Sequence, residues 1–168
     1  MKKLFLKMAF IGLLAPMSLV AQNVKTSVHQ EKSSLPKPYN EEEDAFVKIN
    51  KLVKKAKKEN KNIILQVGGN WCIWCLRFAH FVKTTPELKE IVDKNFIYYH
   101  LNFSQKYKNE KVFAKYGDDG KELGYPYFIV LDKNGKKIHT QQGGSLEQGK
   151  SYSFSKVKSF FEQWIAKK

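Results

Sequence analysis

Cys72 and Cys75 are the only thiols in a chain of 168 residues, and two residues separate them. A pair at that spacing can cycle between dithiol and disulfide, or supply half of a tetrahedral zinc site. A closed zinc site needs four ligands. The chain has no second thiolate pair, and its four histidines show no paired spacing, so no metal is expected. With no third cysteine, no disulfide can join distant parts of the fold, and whatever the pair does it does locally.

The neighbouring sequence says where the pair sits. Ile63, Ile64, Leu65, Gln66 and Val67 form a nearly continuous apolar run, expected to be a central strand buried on both faces, and Gly68-Gly69 marks a tight turn after it. Trp71-Cys72-Ile73-Trp74-Cys75 then opens a helix. Unpaired backbone N–H groups at a helix N-terminus favour a thiolate, so Cys72, nearer the end, is the expected exposed nucleophile. Cys75, one turn further in, is the expected shielded resolving thiol. Trp71 is expected to wall the site and Trp74 to contact partners.

Further elements follow by periodicity. Phe46, Ile49, Val53 and Ala56 predict an amphipathic helix with a lysine-rich outer face. A helix is expected from Pro86 to about Asn95, a strand over Phe96 to Phe103 and a short helix over Glu110 to Tyr116. Tyr127 to Leu131 and Lys136 to Gln142 flank the turn residues Asp132-Lys133-Asn134-Gly135, which predicts a hairpin with a polar edge strand. A last helix is expected to pack Val157, Phe160, Phe161, Trp164 and Ile165 on one face. No internal repeat is present.

With Trp-Cys-x-x-Cys after an apolar strand, and Gly124-Tyr125-Pro126 immediately before the Tyr127 to Leu131 strand, the sequence resembles the thioredoxin family over about residues 41–168. The resemblance implies a three-layer α/β fold with a mixed central sheet. It also implies that Pro126 is cis and lies beside the disulfide, with the backbone of Tyr125 available to pair with an extended substrate. In that family a buried aspartate precedes the motif and a lysine lies near it; here Gln66 and His100 stand at the matching positions. Histidine titrates near neutrality and can accept a proton, which makes His100 a candidate acceptor for the Cys75 proton. The alternative is a hydrogen-bonded core histidine. Gly143-Gly144, the Ser145 to Tyr152 loop and the aromatic last helix are similar to small exported bacterial thioredoxin-like proteins, related to the periplasmic domain of the transmembrane disulfide reductase.

Residues 1–21 carry Lys2, Lys3 and Lys7, an apolar run from Met8 to Val20 and Ala21 before polar Gln22, the pattern of a secretory signal peptide. The run is shorter than the ~20 residues of a membrane span. A periplasmic or secreted protein without stable membrane insertion after cleavage is therefore expected. Residues 22–40 are polar with Pro36 and Pro38 and are expected to be a flexible linker to a domain over residues 41–168. The formal charge is +14, almost all of it lysine, and Arg77 is the only arginine. That inventory supplies no arginine-aromatic platform for bases, so no nucleic-acid partner is expected. The expected activity is thiol-disulfide exchange on protein substrates without a bound cofactor, recharged by a redox partner protein. Ile73-Trp74 between the cysteines lacks the cation of strongly oxidising relatives, which leans toward reductase or isomerase work. The rival reading is a peptide-binding module whose disulfide is structural.

Overall fold

The computed structural model describes residues 27–117 and 120–167, and the chain divides into two compact units between Ser33 and Ser34. The expected signal peptide lies outside the described residues. In the first unit the described residues 27–33 are helical.

Helix α1 spans Ala45–Glu59; Asp44 caps it by accepting from Val47 N, and Asn60, with φ 51°, ends it. Strand β1 (Asn62–Gly68) leads to α2 (Ile73–Thr84), α3 (Pro86–Asn95) and β2 (Phe96–Asn102). Helix α4 (Glu110–Tyr116) and the single turn α5 (Gly120–Leu123) precede β3 (Tyr127–Leu131) and β4 (Lys137–Gln142). A 3₁₀ turn at Gly144–Leu146 and a short hairpin of β5 (Glu147–Gln148) and β6 (Ser151–Tyr152) lead into α6 (Phe154–Gln163).

The main sheet has the order β2-β1-β3-β4, with β1 parallel to β2 and antiparallel to β3. A parallel pair needs a crossover, and α2 with α3 supplies it. Side chains alternate across β1 and so divide the interior in two. Ile63, Leu65 and Val67 face α1 and α4, with Ile49, Ala56, Val112 and Ile129. Ile64 faces the other way, into Phe78, Val82, Leu88, Phe128, Val157 and Phe161 from α2, α3, β3 and α6. Helices thus cover both faces of a mixed sheet, the three-layer α/β architecture. Strand β1 is buried at all seven positions, whereas edge strand β4 is polar and largely exposed.

Three expectations need correction. The domain begins before residue 41, because Tyr39 is 3 % exposed and packs with both cysteines. The last helix ends at Gln163, leaving Ile165 exposed, while Trp164 still packs on the core through its indole ring. The Ser145 to Tyr152 segment is a hairpin rather than a loop, held at its base by Ser153 N donating to Leu146 O.

Gly68 and Gly69 act through close approach. A Cβ on Gly68 would overlap Cys75 Sγ and lie 3.2 Å from the Tyr39 hydroxyl, and one on Gly69 would overlap the Trp71 indole. Gly68→Ala is expected to lower unfolding free energy by about 1–3 kcal/mol through overpacking. Gly144→Ala, where nothing lies within 4 Å, should change it little. Denaturant melts of the two variants check this contrast.

Candidate active site

Cys72 is the N-cap of α2, and its sulfur accepts from Cys75 N at 3.1 Å. The two cysteines are joined as a disulfide with their Cα atoms 5.2 Å apart. Their burial differs: Cys72 is 6 % exposed and Cys75 is fully enclosed. Of the two, only Cys72 keeps any exposure. The Tyr125–Pro126 peptide bond is cis, and Cys72 Sγ lies 3.7 Å from Tyr125 O. In the disulfide this is a contact only; a reduced Cys72 thiol would have a proton to donate there.

Aromatic side chains lie around the cysteine pair. Trp71 is 45 % exposed, yet its Nε1 donates to Phe103 O at 2.7 Å, which pins the ring. Its ring meets Tyr125 edge-on at 5.2 Å, and Tyr125 stacks on Phe103 at 5.6 Å. Trp74 also packs against the cysteine cluster. It packs edge-on to Tyr152, whose hydroxyl donates to Trp74 O at 3.0 Å, while the Arg77 guanidinium lies 4.7 Å over its ring. It is half-buried and braces the β6 hairpin as well as facing outward.

Beneath Cys75 lies a buried polar chain. Gln66 Nε2 donates to Cys75 O at 2.9 Å and to the Tyr39 hydroxyl at 2.8 Å, and Gln66 Oε1 accepts from the Tyr98 hydroxyl at 2.7 Å. Tyr39 is fixed by its backbone, since its N donates to Asn70 Oδ1 at 3.2 Å and its O accepts from Asn70 Nδ2 at 2.8 Å. Burial raises the pKa of Tyr39 and Tyr98 well above the usual phenol value, so both hydroxyls keep their protons.

The fold matches known proteins. The thioredoxin-like domain family matches residues 49–150, more than half of the chain. The chain belongs to the thioredoxin-like family. A disulphide isomerase from Xylella fastidiosa Temecula1 superposes with a TM-score of 0.67 at 25 % identity, covering 77 % of this chain and 98 % of that one. A DsbH oxidoreductase follows with a TM-score of 0.50 at 24 % identity, covering 67 % and 81 %. The oxidised C-terminal domain of DsbD from Neisseria meningitidis matches at 18 % identity and a TM-score of 0.48, covering 73 % and 96 %. No curated protein matches the sequence.

In this thioredoxin-like domain His100 is not hydrogen-bonded to either cysteine. It pairs with Gln66 across the β1/β2 ladder, and its ring packs against Tyr39 at 5.2 Å and Tyr98 at 5.3 Å. Its Nε2 is buried without a hydrogen-bond partner among the described residues, so it is not the satisfied core histidine of the alternative reading either. Burial lowers its pKa to about 4, which corrects the expectation of an imidazole titrating near neutrality. Sequence reasoning missed Tyr39 and Asn70. Asn70, between the glycines and the motif, was the one available signal, since a short polar side chain there has backbone groups to satisfy.

The His100 shift has a consequence for stability. An unfolded chain protonates histidine near 6.5, whereas the folded one holds it neutral down to about 4. Between those values the unfolded state binds the extra proton, so stability is lost as pH falls from about 6.5 to about 4, by roughly 3 kcal/mol in all. His100→Gln should lose correspondingly less stability than the parent between about pH 7 and pH 4 in denaturant melts. An equal acid loss would show that the ring is not held neutral.

Proposed function

We propose that this protein is an exported thiol-disulfide oxidoreductase that exchanges the Cys72–Cys75 pair with protein substrates, in the reductase or isomerase direction. The observation that carries it is the asymmetric disulfide at the N-terminus of α2, its less buried cysteine set against the backbone of Tyr125. Helix N-terminal N–H groups favour charge on Cys72 once the disulfide is opened. Similarity to a protein described as a disulphide isomerase supports the direction.

In the reducing direction the Cys72 thiolate attacks one sulfur of a substrate disulfide and the other leaves as a thiolate that takes up a proton. Cys75, as thiolate, then attacks Cys72 Sγ in the mixed disulfide. The Cys72–substrate bond breaks, the Cys72–Cys75 bond forms, and two electrons have passed to the substrate. Substrate backbone would pair as an extended strand with Tyr125, beside buried Pro126, with Trp71 as a wall and Trp74 as a further contact. A partner protein would return the electrons. The leader pattern of residues 1–21 supports export to a periplasmic or secreted location, and no described helix is long and apolar enough to cross a membrane.

Cys72→Ser should abolish insulin reduction. Cys75→Ser should retain the nucleophile and accumulate mixed disulfides, which trapping and mass spectrometry detect. Capture by Cys75 alone, with none by Cys72 alone, would reverse the assigned order.

A further inference from the structure

Hydrogen-bond polarity in the chain beneath Cys75 can be read outward from one fixed acceptor. Cys75 O can only accept, so the Gln66 group facing it at 2.9 Å is the amide nitrogen. The second proton of that nitrogen goes to the Tyr39 oxygen at 2.8 Å, and the amide oxygen takes the Tyr98 proton. Tyr39 is therefore an acceptor toward Gln66, and its own proton must point elsewhere. It meets no nitrogen or oxygen acceptor among the described residues.

The Cys75 sulfur lies close by. The space left by the missing Gly68 side chain is bounded by Cys75 Sγ and by the Tyr39 hydroxyl, 3.2 Å from where a Cβ would stand. The two residues belong to one buried cluster with Cys72. In the disulfide, Cys75 Sγ carries no charge and accepts no hydrogen bond from Tyr39. On reduction it becomes a thiolate, a far better acceptor.

We propose that Tyr39, supplied by the segment that precedes the domain's first helix, is a catalytic residue whose hydroxyl donates to the Cys75 thiolate during resolution. This rests on the thiol-disulfide exchange reading above. Resolution starts from the Cys75 thiolate, whose proton has passed to bulk solvent as the enclosed site opens around the mixed disulfide, and Tyr39 keeps its own proton throughout. The thiolate then attacks Cys72 Sγ, the Cys72–substrate bond breaks, and the leaving substrate thiolate takes a proton from water. The other titratable groups around the site have different tasks: Tyr98 donates to Gln66, Tyr152 donates to Trp74 O, and the His100 ring packs on Tyr39 without reaching either sulfur by a hydrogen bond. No carboxylate is hydrogen-bonded to either cysteine among the described residues. Gln66 and Asn70 are positioning residues, one turning the hydroxyl and the other clasping the Tyr39 backbone.

Because the chain has two cysteines, Cys72→Ser leaves Cys75 as the sole thiol. Its ionisation can be followed by the Cβ chemical shift of isotope-labelled cysteine, whether or not the protein turns over any substrate. Adding Tyr39→Phe, which keeps the ring, should lower the Cys75 acid dissociation constant by about tenfold or more, the scale of a hydrogen bond to a charged group. Adding Tyr98→Phe removes a hydroxyl from the same chain without removing a donor to sulfur and should leave Cys75 nearly unchanged. An unshifted Cys75 in Tyr39→Phe, or an equal shift in Tyr98→Phe, overturns the proposal. In the two-cysteine protein Tyr39→Phe should slow mixed-disulfide resolution by a similar factor while sparing the initial attack by Cys72. If titration shifts as expected but the parent exchanges no disulfide, Tyr39 keeps its contact and the functional reading falls.

Discussion

A glutamine in the middle of a fully buried strand must place two N–H donors and a carbonyl oxygen, because an unmet polar group there costs about 1–3 kcal/mol. Gln66 meets that constraint by reaching in three directions: to the first turn of α2 through Cys75 O, to the leading segment through Tyr39 and to β2 through Tyr98. Three separate parts of the chain are thereby held in one register beneath the disulfide. An apolar residue at this position would pack with Ile64 and Phe128 but would leave the Cys75 carbonyl and the Tyr98 hydroxyl without their partner. The amide instead orients the site while remaining uncharged at every accessible pH.

Neutrality runs through the whole floor of the site. Tyr39 and Tyr98 are held protonated and His100 is held unprotonated, each by burial. Among the described residues no charged side chain is hydrogen-bonded to either sulfur, and the nearest polarity is that of dipoles, chiefly the N-terminus of α2. Those dipoles act most strongly on Cys72, the N-cap, and less on Cys75 one turn inside. The same geometry leaves Cys72 slightly exposed and Cys75 enclosed, so in the proposed exchange a single helix start would separate nucleophile from resolver by both charge and access.

The helices and strands were legible because their patterns are local. The apolar run of β1, the hairpin residues Asp132 to Gly135 and the amphipathic spacing of α1 each encode one element, and each formed there. The cysteine pair was legible for the same reason. Tyr39 was not, since it stands alone between Pro38 and Asn40 in a polar stretch, and its burial depends on Asn70 and Gln66 far along the chain. His100 could be placed on its strand beside Gln66, but the Tyr39 ring that helps to bury it could not, and burial sets its protonation. The β5/β6 hairpin escaped notice because strands of two residues carry no periodicity.

Equilibration against a series of glutathione redox buffers, with the fraction of Cys72–Cys75 disulfide read at each by thiol alkylation and mass, tests the central claim most directly. A catalytic pair should pass reversibly between disulfide and dithiol as a two-electron couple with a midpoint above about −300 mV. A pair that stays oxidised across the whole series would be a structural disulfide, and the protein would then be a binding module on the same fold.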